Sequence, residues 1–151
     1  MLIVPDFIKA TLSRELESAG QIEIGGVMMG EQLEPGRFIL TDISIQRSKG
    51  TVATFIRDAS EALKAILIFF TKTNNQYKKF NYLGEWHSHP SFSLRPSRKD
   101  HDTMLRMVAD PSVGANFLLL MIVRLDSNNE LEASLHFYSP RGDVVPVELS
   151  I

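Results

Sequence analysis

The chain of 151 residues contains no cysteine. This absence excludes disulfide bridges, thiolate nucleophiles and zinc sites that use cysteine ligands. Any metal ion must therefore be held by histidine, aspartate or glutamate, and histidine is itself scarce, with four in the chain. The place where histidines cluster is consequently the most informative feature of the sequence.

The sequence also lacks a strong net charge and a long apolar run. The net charge is −2, which argues against electrostatic binding of nucleic acid or of a membrane surface. The longest apolar runs, ILIFF and FLLLMIV, fall far short of the roughly 20 residues that span a bilayer. The apolar start MLIVPDFIK has no basic region and contains Asp6, so it does not predict a signal peptide. We expect a cytoplasmic protein that binds neither nucleic acid nor membrane.

Length and periodicity predict one domain, residues 1–151, of the α/β class, with a mixed β-sheet packed between helices. Helices are predicted over 6–18, 58–74 and 96–110. Gly20 should end the first helix, Asp58 with Glu61 should cap the second, and Ser97 should cap the third. The second helix is apolar nearly all round, which predicts burial. Strands are predicted over 1–5, 21–30, 37–46, 51–56, 80–90, 116–125, 131–139 and 143–149.

The stretch GEWHSHPSFSLRPSRKD, residues 84–100, carries the chemistry. Residues i and i+2 of a strand point to the same face, so His87 and His89 should project together. Asp100 lies in the first turn of the following helix, from which its carboxylate can reach the histidines. Three protein ligands with an open fourth position are typical of a catalytic zinc ion.

Alternative interpretations of this stretch were tested by spacing. The metallo-β-lactamase pattern would place aspartate where Ser91 stands, the cupin pattern lacks its glutamate, and the helical His-Glu-x-x-His pattern is missing. A three-histidine lyase site with His136 as the third ligand stays open. Ser97 and Asp100 also match a helix-capping box, which is compatible with a role at a metal.

A hydrolytic zinc site also needs a base that moves protons. Two glutamates are candidates. Glu85 shares the face of the two histidines if the strand is regular, and Glu23 interrupts an otherwise apolar strand just before Gly25 and Gly26. Spacing alone does not choose between them.

These residues resemble the signature of the JAMM (MPN+, JAB-type) zinc metalloproteases. That signature is His-x-His, seven residues, Ser, two residues and Asp, with a glutamate far upstream. The chain has His87 and His89, then 90–96 as the seven residues, then Ser97 and Asp100, with the upstream glutamate at Glu23. The order of elements is also similar over nearly the whole chain.

The resemblance implies a role for each residue and a cytidine-deaminase-like JAB/MPN sandwich fold. It implies that His87, His89 and Asp100 bind one Zn²⁺. It implies that Glu23 is the acid/base that takes a proton from water and passes it to the leaving amine. It implies that Ser97 stabilises the oxyanion. Glu85 would then have a secondary role beside the ligands.

The resemblance further implies an isopeptidase that removes a ubiquitin-like protein from its conjugate. The compact chain is similar to small single-domain bacterial members, which accompany E1-like and E2-like enzymes, including in antiphage defence operons. Two other functions stay open within the family. One is trimming of the C-terminus of a sulfur-carrier or ubiquitin-like precursor, and the other is a non-catalytic MPN scaffold.

Overall fold

The computed structural model describes residues 1–47 and 59–151, which contain eight strands and three helices. The strands are β1 (Leu2–Ile3), β2 (Gly25–Glu34), β3 (Arg37–Ile43), β4 (Phe80–Ser88), β5 (Leu118–Leu125), β6 (Leu131–Tyr138), β7 (Val144–Pro146) and β8 (Leu149–Ser150). The helices are α1 (Asp6–Ala19), α2 (Ala59–Lys72) and α3 (Arg98–Ala109). The strand predicted over 51–56 and the cap predicted at Asp58 lie outside the described residues.

The strands form one mixed sheet in the order β7-β6-β5-β4-β2-β3-β1-β8. The pairs β4–β5, β1–β3 and β1–β8 are parallel, and the other four pairs are antiparallel. Although β7 and β8 lie at opposite ends of this order, only Val147 and Glu148 separate them along the chain. The Val147 N–H also donates to the Leu135 carbonyl of β6. The sheet therefore curls until its two ends meet.

Helices cover both faces of the sheet. This is why β5, which lies inside the sheet, is apolar at every position of its central part. Leu119, Met121 and Val123 pack in the cluster that includes α1. Leu118, Leu120 and Ile122 alternate with them and pack against α3. Side chains of α2 pack over β2 on that second face. The predicted mixed sheet packed between helices is confirmed.

An irregularity in β4 decides which side chains share a face. Gly84 has a φ of +142°, and a Cβ there would lie 2.0 Å from the Leu119 carbonyl oxygen, so no other residue fits. The register of β4 against β2 shifts at this point. As a result Tyr82 and Glu85, three residues apart, lie close enough for the tyrosine hydroxyl to donate to the carboxylate at 2.5 Å.

Two details of the predicted elements were wrong. Helix α2 is not buried all round, because Leu63, Leu67 and Ile68 are each more than half exposed. The amphipathic packing of α2 uses its other side, where Phe69 is buried. The loop predicted between β2 and β3 is also shorter, since β2 continues to Glu34 and only a two-residue turn remains.

The helix boundaries follow local capping chemistry. Helix α1 ends at Gly20, as predicted, with a positive φ of 59° and with its N–H bonded to the Leu16 carbonyl. Helix α3 begins after Ser97, whose side chain accepts a hydrogen bond from the Asp100 N–H. None of the described helices is both long enough and apolar enough to cross a bilayer.

Candidate metal centre

The two histidines lie at the C-terminal end of β4, where the strand stops before Pro90. Both are buried, and they project from the sheet face that α3 covers, while the intervening Ser88 is fully buried on the other side. Ser88 fixes this end of the strand, because its N–H donates to the Ile24 carbonyl and its Oγ accepts from the Ile24 N–H. The strand end is thus rigidly joined to the start of β2.

The start of α3 brings a carboxylate to the histidines. Asp100 is buried and forms a reciprocal capping box with Ser97. The Ser97 N–H donates to Asp100 Oδ2 at 2.7 Å, and the Asp100 N–H donates to Ser97 Oγ at 3.2 Å. The cap predicted from the sequence is therefore present, and it holds the carboxylate in place.

Three potential ligand atoms converge. His87 Nε2 and His89 Nε2 are 3.0 Å apart, and Asp100 Oδ2 lies 3.7 Å from the first and 4.0 Å from the second. Tetrahedral coordination at about 2.0–2.2 Å separates ligand atoms by about 3.4 Å. The observed separations lie on either side of that value, so these residues could hold a metal ion with only small side-chain adjustments.

The surroundings of His87 favour a neutral imidazole, which metal binding requires. Burial lowers the pKa of His87 to about 4, and the nearby Asp100 carboxylate opposes this effect only in part. His89 Nδ1 lies 2.7 Å from the Ser93 carbonyl oxygen, which only a protonated Nδ1 can satisfy, leaving Nε2 as the free lone pair. Within the described residues, His87 Nδ1 is buried without a hydrogen-bond partner.

Glu23 comes from the neighbouring strand segment. Gly25 pairs with His87, and the bond between Ser88 and Ile24 continues that antiparallel register by one residue. Gln21 contacts Ser91 through their side chains, three residues further along the same register. Directly opposite residues of an antiparallel pair share a face, so the same register extended by one more residue would set Glu23 opposite His89. Glu23 is half-buried.

Comparison with known protein families shows which family the chain belongs to. A family model described as prokaryotic homologs of the JAB domain matches residues 8–136. The chain belongs to this family. The match includes Glu23, both histidines, Ser97 and Asp100.

Solved structures share this fold. A Desulfitobacterium hafniense protein, DSY2949, superposes with a TM-score of 0.66 at 17% identity, covering 99% of this chain and 91% of that one. AF2198, a JAB1/MPN domain protein from Archaeoglobus fulgidus, gives 0.51 at 18% identity over 100% of both chains. A Salinibacter ruber protein gives 0.53 at 14% identity, covering 97% and 89%. A search of curated protein sequences finds no significant match.

His136, the third ligand of the alternative lyase site, lies elsewhere on the sheet of this JAB domain. His136 lies on β6, where it pairs with Leu120 of β5. The centroid of its ring lies 6.4 Å from that of the His101 ring. In the part of the chain that the structure describes, the one group of three potential ligands is His87, His89 and Asp100. The geometry does not favour the three-histidine site.

Two further contacts of this face were not predicted. His101 on α3 is partly buried, and its Nδ1 lies 2.9 Å from the Tyr138 hydroxyl. The Tyr82–Glu85 bond depends on the irregularity at Gly84, and burial raises the pKa of Glu85 to about 7. A glycine inside a strand was the available signal for the second contact.

Gly26, which follows Glu23 closely in the chain, allows a close approach of neighbouring backbone. A Cβ on Gly26 would lie 2.0 Å from the Ser44 carbonyl oxygen. That same carbonyl accepts a hydrogen bond from Trp86 Nε1 at 3.0 Å. The glycine therefore admits the neighbouring backbone of this chain, and it supports the back of β4 behind the metal centre.

Proposed function

We propose that this JAB domain is a zinc-dependent isopeptidase or peptidase that removes a ubiquitin-like protein from its conjugate. The observation that carries the proposal is the convergence of His87, His89 and Asp100, whose ligand atoms all lie within 4.8 Å of one another. Two imidazoles and one carboxylate, with the fourth coordination position left open for water or substrate, are the donor set of hydrolytic zinc sites. The family to which the chain belongs supports the same chemistry.

Within this proposal each remaining residue has a task that its position supports. A bound zinc ion would supply a water of lowered pKa and would polarise the scissile carbonyl. Glu23, across from His89, would accept a proton from water and deliver it to the departing amine. The Ser97 hydroxyl, held at the start of α3, would donate to the developing oxyanion. Asp100 is kept in its ligand orientation by the Ser97 N–H.

We further propose a cellular compartment and a pathway for this activity. Small proteins of this type would act in the cytoplasm in a bacterial ubiquitin-like pathway, such as an antiphage defence operon, beside E1-like and E2-like enzymes. Trimming of a sulfur-carrier or ubiquitin-like precursor is the second candidate, because the same chemistry cuts after the same C-terminal residue. A scaffold without metal is the third, and the complete ligand set argues against it.

Metal content tests the proposal first. Protein purified without chelator should contain about one zinc ion per chain. Asp100→Asn should lose most of the zinc while its amide oxygen still accepts from the Ser97 N–H, so the start of α3 should be preserved. His136→Ala should keep the zinc.

The outcomes separate the candidates. Well-folded parent protein without zinc would support the scaffold, and loss of zinc in His136→Ala would support the lyase site. If zinc is present, incubation with ubiquitin-like proteins that carry a C-terminal peptide extension or an isopeptide-linked target distinguishes trimming from deconjugation. Cleavage products identified by mass spectrometry after the C-terminal residue are the expected result.

A further inference from the structure

A groove runs along β4 on the face that carries the metal centre. It has a volume of about 420 Å³, within the range of ligand pockets in proteins. Helix α2 and the C-terminal part of α3 with the following residues form its walls. The apolar lining residues that matter here are Val27, Ile66, Phe70, Met107, Val113 and Ala115.

One charged side chain lines this apolar groove. Glu85 is the only acidic or basic residue among the described residues that form its surface, and Tyr82 beside it is the donor to its Oε1. A carboxylate in an apolar setting with a single neutral donor has capacity for further hydrogen bonds, since its two oxygens can accept about four. The groove therefore combines an apolar channel with an acceptor for a cation.

The groove begins one strand step from the metal ligands. Glu85 precedes His87 by two residues in the regular part of β4, and such residues share a face about 6.6–7 Å apart. An extended peptide advances about 3.3 Å per residue. A long side chain within two residues of a bond cleaved at the metal centre can therefore reach Glu85.

We propose that this groove is a specificity site that binds an arginine side chain of the substrate, within two residues of the scissile bond. This inference rests on the proposed function, of which it names the substrate class. The apolar walls suit the aliphatic stem, and Glu85 suits the guanidinium. A guanidinium is more weakly hydrated than an ammonium group and can bind a carboxylate through two parallel hydrogen bonds. Arginine therefore fits this groove better than lysine does.

A pair of small probes tests the charge requirement. Nα-acetyl-arginine N-methylamide and its citrulline counterpart have nearly the same shape, but only the first is cationic. We expect the arginine probe to shift the methyl NMR signals of Val27, Ile66 and Met107 at pH 8, with at least fivefold tighter binding than the citrulline probe. Equal binding of the two probes, or shifts that map to another surface, would overturn the proposal.

Variants assign the effect to Glu85. Glu85→Gln should reduce binding of the arginine probe to the level of citrulline, with the zinc content unchanged. Glu31→Gln removes a carboxylate on β2 that pairs with Lys79 at 3.0 Å and does not line the groove, so it should bind as the parent does. An equal loss in both variants would mean that the groove is not the site.

The experiment also separates this inference from the function on which it rests. Asp100→Asn protein that lacks zinc and cleaves nothing should still bind the arginine probe. Cleavage by the parent protein without any preference for the arginine probe would refute the groove alone. Binding of the probe by a parent protein that holds no zinc would refute the proposed activity alone.

Discussion

The two histidines of the metal centre are held in different ways, and this difference has chemical consequences. His89 Nδ1 donates to the Ser93 carbonyl, so its Nε2 is an acceptor. The two Nε2 atoms are 3.0 Å apart, which is favourable only if one of them carries a proton. By this network the proton belongs to His87 Nε2. Metal binding at the same atoms must displace it, so one proton moves or is released.

Glu23 and Glu85 are distinguished by a residue-level prediction. Glu23→Gln should lower turnover at least 1000-fold without loss of zinc, because it removes the carboxylate that transfers protons but no metal ligand. Glu85→Gln should keep the rate of the chemical step within about tenfold, because Tyr82 holds its carboxylate in the groove. Single-turnover rates and zinc content of the same preparations are the measurements.

The reverse pattern would reassign the base. If Glu85→Gln lost turnover and Glu23→Gln kept it, Glu85 would be the proton carrier. Loss of zinc in Glu23→Gln would instead place Glu23 among the ligands, and neither result is compatible with the roles proposed above.

At the scale of an element, β4 carries two buried groups whose titrations have opposite effects on the pH dependence of stability. The pKa of His87 is lowered from 6.5 to about 4, chiefly by burial. Below pH 6.5 the unfolded chain therefore binds a proton that the folded one refuses, and stability falls as pH decreases toward 4. The pKa of Glu85 is raised from 4.5 to about 7, also by burial. Its folded form binds the extra proton, so stability falls as pH increases from 4.5 to 7.

We predict that these two effects nearly cancel in metal-free parent protein between pH 4.5 and 6.5. Glu85→Gln should remove one of them. Its free energy of unfolding should exceed that of the parent at pH 8. It should fall by on the order of 2 kcal/mol between pH 6.5 and 4.5, through the lowered pKa of the buried His87. Urea unfolding at four pH values, with chelator present, measures this.

The matched control for β4 is Glu31→Gln on the neighbouring strand. It should follow the pH dependence of the parent, because Glu31 pairs with the exposed Lys79. A profile of Glu85→Gln that parallels the parent from pH 4.5 to 8 would contradict the assignment of the carboxyl effect to Glu85.

For the whole molecule, the sequence was sufficient where periodicity and capping are local. The strand predicted over 116–125, the glycine that ends α1 and the Ser97 cap all depend on residues close in the chain, and each prediction is confirmed. The order of the strands was not predictable in detail. The closure of β8 onto β1 joins residues almost 150 positions apart, and such pairing leaves no local pattern.

The candidate site shows the same limit. The spacing of His87, His89 and Asp100 predicted a group that the structure brings together. What spacing could not give is the contact between Tyr82 and Glu85, because a regular strand would point these two side chains to opposite faces. The irregularity at Gly84 reverses that expectation. Likewise the sequence could not predict which side of α2 is exposed, because its residues are apolar nearly all round.

Because the centre joins the end of β4 to the start of α3, metal binding should stabilise the whole fold. A ligand that binds only the folded state at 100 times its dissociation constant adds about 2.7 kcal/mol. For a chain of this size that corresponds to a rise in Tm of roughly 5–10 °C. We expect this rise when zinc is added to chelator-treated protein at pH 7, and none in Asp100→Asn. Protonation of His87 should not reduce this rise at pH 6, because its pKa of about 4 keeps that ring neutral there. A Tm independent of zinc in the parent, measured by calorimetry, would show that the three residues do not bind the ion.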